Sequence, residues 1–151
     1  VRALWWSLYW LGAIDRPDDE ALTVFVRRQT GIDHLRFLDH RKAPAVIEAL
    51  KSRLEREGVA WRSDDEIRNL GSGPMAAPGW SRLEADRLAV LDAIVDGLRR
   101  TNYFQTNAGY DLVLAWLGKT SHNTLALTAR EIDAAIREFG KRLRRRREGA
   151  P

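Results

Sequence analysis

Apolar side chains recur at intervals of three and four residues along nearly the whole chain, and this spacing is the strongest constraint on its fold. Two runs each place four apolar residues at positions i, i+4, i+7 and i+11: Ala43, Ile47, Leu50 and Leu54, then Ile132, Ile136, Phe139 and Leu143. Because an α-helix completes a turn in about 3.6 residues, this spacing puts the apolar side chains on one helix face. The sequence therefore predicts an all-α fold without a sheet.

Residues that start or stop helices separate these runs. Ser63, Ser81 and Thr128 are each followed three residues later by glutamate. This is the capping-box pattern, in which side chain and backbone exchange hydrogen bonds. Pro17, followed by three acidic residues, predicts another helix start, and Gly31 predicts a helix end. The chain is thus expected to be a series of short helices, each with its own cap.

The composition changes between Trp61 and Trp80, where a short helix is followed by glycines and prolines. We interpret 1–60 as one helical module, 61–80 as a linker with one short helix, and 81–151 as a second module with a basic tail. The two apolar runs also align at one constant offset. That alignment fits either a degenerate internal repeat or two unrelated amphipathic helices, and the sequence leaves both open.

The most apolar stretch contains three tryptophans, Trp5, Trp6 and Trp10. It is shorter than the roughly 20 apolar residues that cross a bilayer, and no small-residue cleavage site follows it. Neither membrane insertion nor secretion is therefore expected. The tryptophans are expected in the core, where Trp5 or Trp6 would pack with Phe25 and Ile47.

The chain contains no cysteine. This excludes a disulfide framework, a thiolate metal site and a cysteine nucleophile. An intracellular location is the expectation.

Two Asp-His pairs, Asp33-His34 and Asp39-His40, raise the question of a metal or catalytic site. They lie six residues apart, whereas two ligands on one helix face lie three or four apart. A turn explains the first aspartate and a helix N-cap explains the second, although Pro44 favours a helix that begins later. No third ligand or base is placed nearby. The sequence therefore predicts no metal site, no catalytic residues and no cofactor.

The basic C-terminus is the strongest functional signal. Residues 141–147 hold six cations: Lys141, Arg142, Arg144, Arg145, Arg146 and Arg147. Without these six of its 25 basic residues the chain keeps 19 against 21 acidic ones, so the formal net charge changes from +4 to −2. A basic block of this size is typical of a tail that binds nucleic acid, and arginine suits bidentate phosphate contacts. The alternative is a solvated helix end that serves solubility.

A second, smaller basic group precedes the helix of the first apolar run. Arg41 and Lys42 occupy a first turn, where the helix dipole disfavours cations. A phosphate held by their side chains and by backbone N–H groups would relieve this. Arg27 and Arg28 end the preceding helix and could take part. A solvated surface is the alternative.

Three segments, ALWWSLYWLGAI, ALTVFVRRQTGIDHLRFLD and VIEALKSRLER, resemble the regulatory protein GemA family of Mu-like phages and prophages. Its members carry an ALW…L…G helix, an F-V-x-R-x-T-G turn and a V-I-E-A-L-K helix in this order. The resemblance covers about Val1 to Arg56, and Pro44 departs from it. It implies a small phage-encoded regulator in the host cytoplasm, linked to host gene expression and DNA topology, and it implies no catalytic residues.

Two function classes follow. The first is a regulator that binds DNA non-specifically through backbone phosphates. The second is an adaptor that holds a protein, such as a host DNA-topology or transcription protein, through an apolar helix face or the turn TNYFQTNAGY at 101–110. The segment between Gly31 and Asp39 is too long for a helix-turn-helix pair, so sequence-specific reading of DNA is not predicted. The oligomeric state is left open.

Overall fold

The structure, a computed structural model, describes residues 1–104 and 109–149, where all regular structure is helical. The α-helices are α1 (Arg2–Trp10), α2 (Asp19–Thr30), α3 (Ala43–Arg56), α4 (Asp64–Gly71), α5 (Arg82–Arg100), α6 (Gly109–Trp116) and α7 (Ala129–Arg147), with short 3₁₀ helices at Leu35–Phe37 and Thr124–Ala126. The predicted all-α class is confirmed. The chain divides into two compact units, residues 1–58 and 59–151.

In the first unit, α1 and α2 both pack against α3. The apolar side chains buried there are Trp5, Leu8, Leu11, Leu22, Val26, Ile32, Val46, Leu50 and Leu54. Asp18 caps α2 by accepting a hydrogen bond from the Ala21 backbone N–H at 3.0 Å. Gly31 ends α2 in the left-handed conformation, with φ of 75°, so the predicted helix end is confirmed.

The prediction that all three tryptophans of α1 are core residues is wrong. Trp5 is buried and its ring lies 5.5 Å from that of Phe25, whereas Trp6 is exposed and Trp10 is half-buried. Successive residues of a helix are rotated by about 100°. Trp6 therefore turns away from the face that carries Trp5 and Leu8, and α1 buries one side only.

The inward face of α3 also differs from the prediction. The buried residues are Val46, Leu50 and Leu54, four residues apart, whereas Ile47 is only half-buried. The helix starts at Ala43, because Asp39 closes a separate turn before it: the Ala43 backbone N–H donates to the Asp39 carbonyl at 2.9 Å.

The rotation of α3 about its own axis, which turns Val46 rather than Ile47 inward, can be tested by comparing two alanine substitutions. Leu50→Ala should lower the free energy of unfolding by about 2 to 5 kcal/mol, because it removes a fully buried side chain. Ile47→Ala should cost less than half as much, since part of that side chain already meets water. Denaturant titration followed by amide hydrogen exchange in α3 measures both effects. Equal losses for the two variants would contradict the rotation.

In the second unit, α5 and α7 pack along their lengths. They bury two apolar stripes: Leu88, Leu91, Ile94 and Leu98 on α5, and Ile132, Ile136, Phe139 and Leu143 on α7. The helices approach closely at Gly97, where a Cβ atom would lie only 3.1 Å from Leu143 Cδ2. An ion pair of 2.8 Å between Arg87 and Asp133 also joins them.

Residues 61–80, which the sequence suggested as a linker, lie within the second unit. Ile67 of α4 and Trp80 form a small buried cluster with Ala85. The Ala77 backbone N–H donates to the Leu125 carbonyl at 2.9 Å, which fastens the Gly/Pro-rich segment to a distant part of the chain. The boundary between the compact units therefore falls earlier, after residue 58.

The internal repeat is not confirmed. At the constant offset, three buried positions of α3 fall on three buried positions of α7: Val46, Leu50 and Leu54 on Ala135, Phe139 and Leu143. However, Ile47 is half-buried and its counterpart Ile136 is buried. The neighbours also differ, because α3 packs against α1 and α2 whereas α7 packs against α5.

Candidate nucleic-acid interface

Helix α7 carries the predicted basic tail, and its start is fixed by a complete capping box. The Glu131 backbone N–H donates to Thr128 Oγ1 at 3.2 Å, and the Thr128 backbone N–H donates to Glu131 Oε1 at 3.1 Å. Partial burial raises the pKa of Glu131, but hydrogen bonds from Lys119 and Thr128 outweigh it, so the pKa lies below its usual value. Because the apolar stripe of α7 faces α5, the rotation of its polar face is also fixed.

Arg142 and Arg146 contact the turn that follows α5. Arg142 Nη1 donates to Tyr103 Oη at 3.0 Å, and its guanidinium lies 4.4 Å from the centroid of the Phe139 ring. Arg146 Nη2 donates to the Thr101 carbonyl at 2.7 Å. Both guanidinium groups also lie 6.0 Å from the centroid of the Tyr103 ring. These two arginines therefore act mainly as structural ties within the second unit.

Arg144 is also largely withdrawn from solvent. Its side chain is 15% exposed, and it forms an ion pair of 3.7 Å with Glu148. The basic segment is thus the last two turns of a packed helix rather than a free tail. Three of its six cations, Arg142, Arg144 and Arg146, are half-buried.

The remaining cations, Lys141, Arg145 and Arg147, are exposed. Lys141 and Arg145 lie four residues apart and continue a row of exposed cations that starts earlier on the helix. We call this row the outer stripe: Arg130, Arg137, Lys141 and Arg145. Adjacent side chains four residues apart are separated by about 6 Å along the helix axis. In the described part of the chain, none of Arg130, Lys141 and Arg145 forms an ion pair, so their charges face solvent.

The sequence pattern had pointed to neither Arg130 nor Arg137. Arg137 Nε donates to the Asp133 carbonyl of its own helix at 3.5 Å, and Arg137 has no ion pair among the residues that the structure describes. Both lie on the same helix face as Lys141: Arg137 is four residues before it, and Arg130 is seven residues before Arg137. The helical period of the apolar stripe would have been sufficient to find them. On this helix the sequence pattern indicated only the dense cluster of cations at 141–147, and the row that extends toward the start of the helix was therefore missed.

The predicted cations of the first unit have a different environment. Arg27 forms an ion pair of 3.2 Å with Asp33, and Arg28 is exposed. Arg41 and Lys42 are exposed, but their backbone N–H groups donate to Asp39 Oδ1 at 3.0 and 3.1 Å. From the sequence we expected these N–H groups to bind a phosphate, but they already donate to a carboxylate oxygen. The side chains of Arg41 and Lys42 remain exposed to solvent.

The surface of α6 bears on the adaptor hypothesis. Leu112 and Trp116 lie four residues apart on one face of this helix, and both are exposed. The other predicted adaptor element is the turn at 101–110, of which residues 105–108 lie outside the described residues.

The described residues contain neither a metal cluster nor a membrane span. Across 1–104 and 109–149, no three His, Asp or Glu side chains are grouped as a bound metal ion would require. No helix in these ranges has both the length and the apolar character needed to cross a bilayer.

A family model described as bacteriophage Mu, GemA protein, matches residues 1–56. This confirms the resemblance seen in the sequence over the same residues. The match covers α1, α2 and α3, so the first unit is similar to a phage protein, and the outer stripe lies outside the matched segment. No curated protein and no solved structure matches the chain.

Proposed function

We propose that this chain is a phage-encoded regulatory protein that binds duplex DNA through its backbone phosphates and thereby modulates host gene expression or DNA topology. The observation that carries the proposal is the outer stripe, a straight row of exposed cations on a helix whose rotation is fixed by packing. The similarity of the first unit to a phage protein family supports the biological setting. The proposed activity is binding, without catalysis.

The chemistry of the outer stripe favours a regular polyanion. Arginine and lysine on phosphate oxygens position a protein on DNA but carry no sequence information. Each phosphate that they neutralise releases counterions, which makes the affinity strongly dependent on salt. The connection between α2 and α3 spans residues 31–42, including a 3₁₀ helix, which is unlike the tight turn of a helix-turn-helix pair. We therefore expect binding that tolerates changes in base sequence.

A salt titration of DNA affinity tests this proposal. With short duplexes of two unrelated sequences, fluorescence anisotropy should give equal affinities and a slope of log K against log salt of about −0.9 per phosphate contact. Changing the four residues of the outer stripe to glutamine should reduce the magnitude of the slope by about 3 to 4 if each makes one contact. Circular dichroism should show unchanged helical content, because these side chains are exposed.

A matched control removes the same number of charges elsewhere. Four exposed arginines already paired with carboxylates are suitable for this purpose: Arg2, Arg16, Arg68 and Arg100. Their replacement by glutamine changes the net charge equally but should leave most of the salt slope in place. If the control loses as much slope as the outer-stripe variant, the effect is one of overall charge and the proposed interface is wrong.

The adaptor hypothesis is the second candidate, favoured by the exposed Leu112 and Trp116 of α6. It predicts little DNA affinity at moderate salt and no dependence on the outer stripe. It also predicts a protein partner that the chain retains after nuclease treatment and loses when both residues are changed to alanine. Co-purification of the wild-type and double-alanine chains distinguishes the two functions.

A further inference from the structure

Phe37 projects from the connection between α2 and α3 in the first unit. It is the last residue of a 3₁₀ helix and is 56% exposed. The apolar residues around it anchor the connection, since Ile32 is buried and Leu35 and Leu38 are half-buried. A backbone hydrogen bond of 3.0 Å from Phe37 N–H to the His34 carbonyl closes the turn. The backbone is therefore held in place while this aromatic ring faces solvent.

One guanidinium and one imidazole lie beside the exposed ring. The guanidinium carbon of Arg36 lies 4.8 Å from the centroid of the Phe37 ring. The His34 ring lies 5.9 Å away with an interplanar angle of 62°. Arg41 and Lys42 follow a few residues later and are exposed. A flat apolar surface is thus combined with positive charge on one short segment.

The two acidic residues nearest the ring do not pair with these cations. Asp33 is ion-paired with Arg27 at 3.2 Å. Asp39 directs one carboxylate oxygen at the backbone N–H groups of Arg41 and Lys42. Within the described residues, the side chains of Arg36, Arg41 and Lys42 have no carboxylate partner, and so they are available to an external anion.

We infer that the segment 34–42 is a binding site for single-stranded nucleic acid. A base stacks on the Phe37 ring, while Arg36, Arg41 and Lys42 contact the phosphates on either side of it. Exposed aromatic rings set among cations are the usual means of holding single strands, because every base has a π face to stack. In a duplex the bases are stacked on one another, so Phe37 would contribute little. This site goes beyond the proposed function, because it lies in the other unit and selects a different form of nucleic acid.

Other polyanionic partners fit the segment less well. An acidic peptide would use the cations but would not need an exposed ring. Binding to a lipid surface requires a broad apolar face on an amphipathic helix, whereas this site offers one ring on a 3₁₀ helix. The pairing of one π face with flanking cations is therefore explained best by nucleotides in a single strand.

Substitutions at Phe37 test stacking directly. The probe is an oligothymidylate of roughly 12 nucleotides, within the length that such sites hold. Phe37→Ala should weaken its binding by roughly 5- to 150-fold, the range for loss of one base–aromatic stack. Phe37→Leu should weaken it similarly, because leucine keeps apolar area but has no π face. Phe37→Trp should bind at least as tightly as the wild type.

The controls separate stacking from general apolar contact and from folding. Val24 on α2 is 43% exposed, so Val24→Ala removes an exposed apolar side chain outside segment 34–42 and should leave affinity unchanged. A central 2-aminopurine in the oligonucleotide should lose fluorescence on binding the wild type and the Phe37→Trp variant, but not the Phe37→Leu variant. Circular dichroism confirms that each variant is folded.

The site would be overturned by wild-type affinity in the Phe37→Leu variant, or by an equal loss in the Val24→Ala variant. It would also be overturned if Phe37→Ala weakened duplex and single-strand binding by the same factor. Repeating the series in the chain with a neutralised outer stripe distinguishes this inference from the proposed function. A Phe37 effect that persists there supports the single-strand site whether or not the outer stripe binds duplex DNA.

Discussion

Changing both Lys141 and Arg145 to glutamate should weaken binding to duplex DNA by roughly two to three orders of magnitude at about 0.1 M salt. Each phosphate contact contributes about −0.9 to the slope of log affinity against log salt. Two contacts therefore account for a gain in affinity of nearly two powers of ten between about 1 M and about 0.1 M salt, and this gain disappears when they are lost. The introduced carboxylates then repel the phosphates. Fluorescence anisotropy with a labelled duplex measures the change.

The control for this charge reversal is Arg16→Glu combined with Arg68→Glu. Both arginines are exposed and ion-paired, and the net charge changes by the same amount. This control should weaken binding by about tenfold or less, since charges that make no phosphate contact act only through a field that salt screens over about 10 Å. An equal loss in both variants would show that the outer stripe has no special part in binding.

Phe139→Ala should lower the free energy of unfolding of the second unit by about 3 to 5 kcal/mol. Phe139 is fully buried, so the substitution removes a large apolar side chain and leaves a cavity between α5 and α7. It also removes the ring that Trp116 meets edge-on at 5.9 Å and that the Arg142 guanidinium covers. Amide hydrogen exchange in α5 and α7 reports this loss within the unit itself.

Trp116→Ala is the matching substitution on the other side of that aromatic pair. Trp116 is 42% exposed, so its loss should cost about 1 kcal/mol or little more, much of it from the aromatic contact. A cost of less than about 1.5 kcal/mol for Phe139→Ala would place the ring outside a close-packed core and contradict the assigned packing.

The features that the sequence predicted correctly depend on residues close together in the chain. Each capping box joins residues three apart, as Thr128 and Glu131 do. Gly31 ends α2 in the left-handed conformation, which glycine adopts without steric cost, so this helix end depends on one residue alone. These interactions need no knowledge of tertiary packing, so local patterns are sufficient to find them.

The features that the sequence missed depend on distant neighbours. Whether Val46 or Ile47 faces inward is decided by where α1 and α2 lie against α3, and the two residues are equally apolar. The segment before α5 was interpreted as a linker because its partner, Leu125, is far away in the chain. Tertiary contacts of this kind leave no periodic signal in either segment.

The candidate interface shows the same division. Charge counting located the basic region, since six cations in seven residues stand out in any sequence. It could not separate Arg142 and Arg146 from Lys141 and Arg145, because their roles depend on Tyr103 and Thr101 at the end of α5. Only the packed helix shows which cations face solvent.

The hydrogen bonds from Arg142 and Arg146 to the turn after α5 also affect how this chain would associate with DNA. A disordered arginine tail loses conformational entropy when it is ordered on a polyanion, and this loss reduces its affinity. Here the last turns of α7 are already ordered by folding, so the row of cations is preorganised. In the proposed complex, association would be an encounter of two preformed surfaces, with a rate set by long-range attraction and mutual orientation rather than by coupled folding.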